Sequence, residues 1–253
     1  MRSGGVLMAV KAIVLGAGKG TRMKSDLAKV LHPVADRPML LWVLDAVADA
    51  RCTEVVVVVG HQAYAVRAVL PAGVRSVLQE QQLGTGHAAT IGLDGLEIGL
   101  DDDVIVIPGD MPLVRGETLA ELVELHRNSG AAATLLTVEL DEPGAYGRVI
   151  RTDGSVTAIV EAKDASPEQL AVGEVNTSVY VFTGQWLAGA LSRISTGNAQ
   201  GEYYLTDVVG ILVGDGHRIE ALMADPEEGL GVNSVDQLAE VSAVLQHRHL
   251  GTD

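Results

Sequence analysis

Residues 15–23 read Leu-Gly-Ala-Gly-Lys-Gly-Thr-Arg-Met and continue an apolar run, residues 10–15, that has the composition of a buried strand. Glycine lets the backbone adopt positive φ and approach a ligand closely, which turns N–H groups toward an anion. A lysine and an arginine in the same stretch add positive charge. The sequence therefore predicts a strand that ends in a phosphate-binding loop.

This loop belongs to a basic island in an acidic chain. The protein has 253 residues and a formal net charge of −15, yet residues 1–40 contain seven Lys or Arg and only two acidic residues. The local balance is +5, so the rest of the chain carries −20. A small anion fits so confined a patch, whereas a nucleic acid favours a broad basic face. We therefore expect small-molecule substrates and no nucleic-acid partner.

The composition is that of a globular protein, with 47% hydrophobic and 20% charged residues. The single cysteine, Cys52, cannot form an internal disulfide, which fits a reducing cytoplasm. No apolar run approaches the roughly 20 residues that cross a bilayer. Residues 1–9 have too little apolar length for a secretory signal and are interpreted as an N-terminal extension. A cytoplasmic protein without a membrane partner is expected.

Strand and helix patterns alternate through the first half of the chain. Five consecutive valines within residues 54–60 favour a central strand, because β-branched side chains suit extended backbone. Further strands are predicted at residues 74–78, 103–107 and 133–138, and helices at residues 39–47, 62–69 and 117–127. Pro38 is expected in the first turn of the first helix. Near-continuous apolar strands separated by helices predict an α/β fold with a doubly wound, mostly parallel sheet.

The pattern changes after about residue 144. Strands are predicted at residues 147–150, 156–160 and 175–182 with little helix between the first two, which favours a small, partly antiparallel lobe. Ser234 and Gln237 have the spacing of a capping box before a C-terminal amphipathic helix. We expect one domain over residues 10–247, divided into a first part at about 10–140, the small lobe at about 141–233 and the terminal helix at 234–247.

Polar groups follow several of the predicted strands, where open α/β sheets bind ligands. Asp110 follows the apolar residues 104–107, and its carboxylate is suited to holding Mg²⁺ over phosphates, although a turn or cap role explains it equally well. Residues 79–87 carry amide side chains suited to the edge of a nucleobase, with a plain polar loop as the alternative. Hydrogen-bonding groups suited to a sugar occur at Glu161, Asn176 and residues 201–207.

Two common nucleotide-binding motifs are absent. Gly16 and Gly18 match the first two glycines of the dinucleotide fingerprint, but Thr21 occupies the third position. No acidic residue ends the next strand, and no Walker A sequence occurs. A dehydrogenase and a P-loop protein are therefore disfavoured.

The ordered series of motifs resembles the N-terminal uridylyltransferase domain of the bacterial bifunctional N-acetylglucosamine-1-phosphate uridylyltransferases, the GlmU family. The resemblance extends from residue 10 to about residue 245 and is carried by residues 15–23, 29–32, 82–88, 146–149, 160–165, 174–177, 198–207 and 231–233.

This resemblance implies a Rossmann-like nucleotidyltransferase fold. It also implies a Mg²⁺-dependent reaction in which N-acetylglucosamine 1-phosphate attacks the α-phosphate of UTP, giving UDP-N-acetylglucosamine and pyrophosphate. It assigns catalysis to Arg22 and Lys29 and metal binding to Asp110 and Asn233. It assigns nucleotide binding to Leu15, Ala17, Gly18, Gly20, Gln79, Gly84 and Thr85. It assigns sugar-phosphate binding to Gly147, Glu161, Asn176, Tyr204 and Thr206.

The chain departs from the family pattern at Gly16, Ala28, Ser178 and Pro108, where members usually or sometimes carry alanine, proline, glycine and tyrosine. Full-length members continue into an acetyltransferase domain that builds a trimer. Because this sequence stops at Asp253, the resemblance predicts no acetyltransferase activity, no protein partner and a monomer. Two alternatives stay open: a related sugar-1-phosphate nucleotidylyltransferase with another sugar or nucleotide, and a non-catalytic nucleotide-sugar sensor.

Overall fold

Strands and helices alternate along the chain, as the sequence predicts. A computed structural model describes residues 8–250, the last two of them by backbone alone. The strands in this part are β1 (Val10–Gly16), β2 (Pro33–Val34), β3 (Arg37–Pro38), β4 (Glu54–Val59), β5 (Arg75–Leu78), β6 (Asp103–Pro108), β7 (Ala133–Glu139), β8 (Arg148–Thr152), β9 (Ser155–Val160), β10 (Glu174–Thr183) and β11 (Ile219–Met223). The α-helices are α1 (Met39–Asp49), α2 (Ala63–Val69), α3 (Thr85–Asp94), α4 (Gly116–Ser129), α5 (Pro167–Leu170), α6 (Gly184–Leu191), α7 (Asp207–Gly214) and α8 (Val235–Leu250).

The main sheet has the strand order β11-β7-β10-β6-β1-β4-β5. The parallel strands β6, β1, β4 and β5 follow one another, and β7 pairs in parallel with β11. Strand β10 runs antiparallel to both of its neighbours in this order. The hairpin of β8 and β9 joins the sheet through β10. The predicted mostly parallel sheet with a small antiparallel addition is therefore confirmed.

Helices cover both faces of the sheet. Alternate residues of β1 point in opposite directions: Ala12 and Val14 pack in one apolar cluster, Ile13 in the other, and all are fully buried. Helices α1, α2 and α4 complete the first cluster, and α3, α6 and α7 complete the second. A third cluster packs Val241 of α8 against Met23 and Val232. The terminal helix thus supports the loops at one edge of the sheet.

The structure corrects two local predictions. Pro38 lies in β3 and precedes α1, rather than occupying the first helical turn, because residues 33–38 form a short hairpin. The capping box of α8 is half formed: Gln237 N–H donates to Ser234 Oγ at 3.2 Å, but the Gln237 side chain accepts from Asn233 N–H instead. Helices α3, α6 and α7 and strand β11 were not predicted. Among the described residues, no helix is both long and apolar enough to cross a membrane.

His126 of α4 joins three elements inside the protein. Its Nδ1 lies 2.9 Å from Thr134 Oγ1 of β7 and its Nε2 lies 3.1 Å from Thr183 Oγ1 of β10. Each hydroxyl can donate or accept, so a neutral imidazole is satisfied at both nitrogens. Burial, followed by the charge of Arg127, lowers the pKa of His126 to about 4.

Acid is therefore expected to destabilise the protein through His126. The folded-state pKa lies below the unfolded value of 6.5, so stability that is complete above pH 6.5 is lost as the pH falls toward 4. By pH 5 this residue should remove about 2 kcal/mol from the free energy of unfolding. Burial raises the pKa of Asp103, whose Oδ1 lies 3.7 Å from His126 Nε2, and this shift acts in the opposite direction. Urea unfolding at pH 7 and pH 5 should show a smaller loss in His126→Gln, whereas equal losses would contradict the assignment.

Candidate active site

A cavity of about 900 Å³ opens where β1 and β6 end. The glycine-rich loop after β1 lines it, together with residues 142–146 and 200–206. Residues 79–85 and the segment before α8 complete it. The carboxyl edge of the parallel strands is thus the place where the predicted site residues meet.

The glycine-rich loop leads from β1 toward the cavity. Leu15, Ala17 and Gly18 line the cavity, and an added Cβ at Gly18 would meet no atom within 4 Å. Gly20 does not line it. Gly20 has φ +61°, and an added Cβ would lie 2.7 Å from Cβ of Lys29. Glycine at position 20 therefore lets the backbone pass close to Lys29, and its assignment to the nucleotide stays a prediction.

Four predicted residues from distant parts of the chain form one cluster. Lys29 Nζ forms an ion pair with Asp110 and donates to Asn233 Oδ1 at 2.8 Å. Arg22 Nη2 donates to the same Asn233 oxygen, also at 2.8 Å. The backbone joins the segments as well, because Val232 N–H donates to the Asp110 carbonyl at 2.9 Å. Two cations and two oxygen ligands therefore share one wall of the cavity.

The donor set of this cluster fits a small hard cation. A carboxylate oxygen of Asp110 and the amide oxygen of Asn233 both contact the Lys29 ammonium, so they converge on one point. Mg²⁺ prefers oxygen ligands and is often held by one or two protein groups, with water and phosphates completing its shell. No group of three or more His, Cys, Asp and Glu suited to a metal occurs in residues 8–250. Asp110 and Asn233 are the predicted residues that could hold a divalent ion.

Gln79, Gly84 and Thr85 line the cavity beside the loop after β1. The buried Gln79 donates from Nε2 to the Gly84 carbonyl at 3.2 Å. Thr85 begins α3, and its Oγ1 accepts from Leu205 N–H at 3.1 Å. Gly84 has φ +113°, and an added Cβ would lie 2.5 Å from the Tyr203 carbonyl oxygen. Close packing between residues 79–87 and 198–206 therefore requires glycine at position 84.

Glu161, Tyr204 and Thr206 also line the cavity. Thr206 Oγ1 donates to Glu161 Oε1 at 3.1 Å, and burial, reinforced by Asp164 and Asp207, raises the pKa of Glu161. The Tyr204 hydroxyl accepts from Gln200 and donates to Asp164 Oδ2 at 3.3 Å. Burial is also the first cause of a raised pKa at Tyr204. The carboxylate and hydroxyl oxygens of these three residues suit the hydroxyl donors of a sugar.

Two residues assigned to the sugar phosphate lie behind the cavity wall. Asn176 is buried, and its Nδ2 donates to the Tyr180 hydroxyl at 2.7 Å while its Oδ1 accepts from Ser178 N–H. Gly147 accepts from Asn176 N–H at 2.9 Å. Neither Asn176 nor Gly147 is among the cavity-lining residues, because both are used in shaping the irregular turn of β10 at Ser178. Ser178 itself lines the cavity with φ +66°.

Tyr146 and Gln237 also line the cavity and were not assigned to the site from the sequence. The Tyr146 hydroxyl donates to the Gly229 carbonyl at 3.1 Å and accepts from Gly231 N–H at 3.3 Å. Gln237 Oε1 accepts from Asn233 N–H at 2.8 Å. Tyr146 lies in the motif at residues 146–149, and Gln237 lies four residues after the predicted ligand Asn233. Neither position alone indicates which groups these side chains contact.

Comparison with known proteins assigns the chain to a family. The model of the MobA-like NTP transferase domain matches residues 12–171. The chain belongs to this family. The prediction of a nucleotidyltransferase is thereby confirmed at the level of the family.

Curated relatives of this NTP transferase include the bifunctional protein GlmU of Trichlorobacter lovleyi, 49% identical over 95% of this chain and 53% of that protein. The GlmU of Geobacter metallireducens is 48% identical over 94% of this chain and 50% of that protein. The resemblance predicted from the motifs is thus confirmed. The chain spans about half the length of these relatives.

Two solved structures share the fold of this NTP transferase. A UDP-glucose pyrophosphorylase complexed with UDP-glucose has a TM-score of 0.78 at 20% identity, covering 95% of this chain and all of that one. A protein described as a glucose-1-phosphate thymidylyltransferase from Bacillus anthracis has a TM-score of 0.77 at 19% identity, covering 93% of this chain and 95% of that one. The predicted Rossmann-like nucleotidyltransferase fold is confirmed.

Proposed function

We propose that this chain transfers UMP from UTP to N-acetylglucosamine 1-phosphate, giving UDP-N-acetylglucosamine and pyrophosphate. The observation that carries the proposal is the cluster of Arg22, Lys29, Asp110 and Asn233 on one wall of the cavity. The cluster shares this cavity with a segment rich in amides and with the carboxylate and hydroxyl groups of Glu161, Tyr204 and Thr206. The similarity to GlmU proteins at 45–49% identity supports the choice of substrates.

The proposed reaction is a displacement at phosphorus. A phosphate oxygen of the sugar phosphate forms a bond to the α-phosphorus of UTP, and the bond from that phosphorus to the pyrophosphate oxygen breaks. The attacking phosphate is already an anion, so no proton need be removed and no general base is required. The protein must instead bring two anions together and stabilise the charge that accumulates at the α-phosphate.

Arg22 and Lys29 supply that stabilisation in the proposal. Both present cationic groups to the cavity, and both contact Asn233 Oδ1, which places their charges close together. Asp110 and Asn233 would hold Mg²⁺, which when bound neutralises phosphate charge. Arg22 is exposed and can follow the phosphates as they move, whereas Lys29 is largely covered and fixed by Asp110. Together they favour a transition state more negative than either substrate alone.

Two groups of cavity-lining residues divide substrate recognition between them. We infer that Leu15, Ala17, Gly18, Gln79, Gly84 and Thr85 bind the nucleotide. Glu161, Tyr204 and Thr206 bind the sugar, while Gly147, Asn176 and Gly20 shape the walls from behind. The cytoplasm is the proposed compartment, because Cys52 is a free thiol and burial raises its pKa to about 12, which keeps it unreactive.

A related nucleotidylyltransferase with another sugar is the second candidate. Ser178 and Pro108 both line the cavity, and both depart from the pattern of the GlmU family. The Ser178 side chain occupies space at a position where the family usually carries glycine. These two departures are the observation that favours another sugar.

Pyrophosphate release from a panel of nucleotides and sugar phosphates tests the proposal. UTP with N-acetylglucosamine 1-phosphate should be the preferred pair by about tenfold or more, because a pocket that binds a polar group penalises a substrate lacking it. Release should stop in EDTA. Preference for glucose 1-phosphate or dTTP would support the second candidate, and binding of UDP-sugar without any release would support a sensor.

A further inference from the structure

To hold a divalent ion, as the proposed function requires, the Asn233 side chain must face that ion with its oxygen and not with its nitrogen. A carboxamide carries an acceptor on one side and an NH₂ donor on the other, and only the oxygen can face a cation. Here Nδ2 donates to the Gly231 carbonyl at 3.3 Å, while Oδ1 faces Lys29 and Arg22. The Gly231 carbonyl therefore acts together with the two cations to fix which atom faces the phosphate site.

Gly231 is held by a side chain from a distant segment of the chain. Its N–H donates to the Tyr146 hydroxyl at 3.3 Å, and that hydroxyl donates in turn to the Gly229 carbonyl at 3.1 Å. One phenolic oxygen thus joins the Gly229 carbonyl and the Gly231 N–H, which lie four and two residues before Asn233. Phenylalanine at position 146 would fill the same space and make neither bond.

Tyr146 is itself anchored. The buried Arg148 donates from Nη2 to the Gly144 carbonyl at 3.0 Å and from Nη1 to the Tyr146 carbonyl. Burial is the first cause of a raised pKa at Tyr146, so the hydroxyl keeps the proton that it donates. The loop of residues 142–146 is therefore a fixed point from which the hydroxyl can position another segment.

We propose that Tyr146 is a positioning residue that fixes Gly231 and thereby helps to turn the Asn233 amide oxygen toward the divalent ion. This inference rests on the proposed function, in which Asn233 holds that ion. The backbone near Asn233 has further supports, because Gln237 Oε1 accepts from Asn233 N–H and Val232 N–H donates to the Asp110 carbonyl. Loss of the hydroxyl should therefore disturb the amide orientation more than the fold.

The test is UTP binding measured by calorimetry without sugar phosphate, so that no turnover occurs. Each protein is titrated once with Mn²⁺ and once with EDTA, and the ratio of the two affinities gives the contribution of the metal. Tyr146→Phe should lower this ratio by about tenfold, as removal of groups that orient metal ligands does. Its affinity for UTP in EDTA should stay within about twofold of wild type. Tyr64→Phe is the matched control, because Tyr64 is 88% exposed.

Making Tyr146→Phe in an Asn233→Asp background isolates the effect of side-chain orientation at position 233. Both outer atoms of a carboxylate are oxygens, so turning the side chain no longer exchanges a ligand for a donor. Tyr146→Phe should then lower the ratio by less than about twofold relative to Asn233→Asp alone. Melting curves verify that all variants are folded at the temperature of the titration.

The outcomes separate this inference from the proposed function. An unchanged ratio in Tyr146→Phe, or equal losses in the two backgrounds, would overturn the inference alone. A wild-type ratio near one would overturn the proposed metal role of Asn233 and this inference with it. A tenfold loss confined to the Asn233 background would support both.

Discussion

Replacing Arg22 with alanine is expected to lower turnover at saturating substrates by about a thousandfold, in the range observed when an arginine is removed from a phosphoryl-transfer site. The guanidinium lies at Asn233 Oδ1, at the wall where the proposed α-phosphate charge accumulates. Lys29, which contacts the same oxygen, is already engaged by Asp110. The loss should fall mainly on kcat, since the interaction strengthens as charge develops.

The Arg22 side chain is exposed, so its removal should leave folding intact. The melting temperature is expected to stay within a few degrees of wild type, since surface substitutions usually change stability by less than about 0.5 kcal/mol. Arg67→Ala is the matched control, because Arg67 is also exposed and its recorded partner, Ser76, lies outside the cavity. Full turnover in Arg22→Ala would remove Arg22 from the proposed mechanism.

Asp110→Ala is expected to lower turnover by about a hundredfold or more, comparable to the loss of one electrostatic group from an active site. The carboxylate is one of two oxygen ligands proposed for Mg²⁺, and it also pairs with Lys29. Its removal both weakens metal binding and frees the ammonium. Consequently, the Mg²⁺ concentration for half-maximal rate should rise together with the fall in kcat.

Steady-state kinetics over a range of Mg²⁺ concentrations measure both effects. Asp215→Ala is a suitable control, because Asp215 also pairs with a cation, Arg193, but at an exposed position outside the cavity. An Asp110→Ala enzyme with a normal rate and a normal Mg²⁺ requirement would exclude Asp110 from metal binding.

Much of the fold could be predicted from local pattern alone. The valines of β4 and the apolar residues of β1 and β6 are buried on both faces of the sheet, so their sequences have no alternation and are easily recognised as central strands. Helix α3 was missed because it begins with Thr85-Gly86-His87, and glycine and threonine are weak helix formers. Tertiary packing against β1 and β4 stabilises it instead.

The candidate site could be predicted only in part. Arg22, Lys29, Asp110 and Asn233 were assigned through the resemblance, and the structure brings all four together. The resemblance gave no sign that Asn176 and Gly147 lie behind the wall, because that depends on the irregular turn at Ser178. The role of Tyr146 was also inaccessible, since its partners Gly229 and Gly231 follow more than 80 residues later.

The roles of the charged residues could also be predicted only in part from the sequence. The basic island was expected to bind a small anion, and three of its cations, Lys19, Arg22 and Lys29, line the cavity. Two more of its cations serve structural contacts: Lys11 pairs with Glu54 and Asp102, and Arg37 pairs with Asp45. Composition locates a region of charge, but only the fold decides which of its members face a ligand.

The most direct test of the central claim follows a label from the α-phosphorus of UTP. After incubation with N-acetylglucosamine 1-phosphate and Mg²⁺, the account predicts that the label appears in UDP-N-acetylglucosamine, with one pyrophosphate released for each transfer. Label found only in free UMP would show hydrolysis rather than transfer, and label remaining in UTP would show no reaction. Either result would contradict the proposed function.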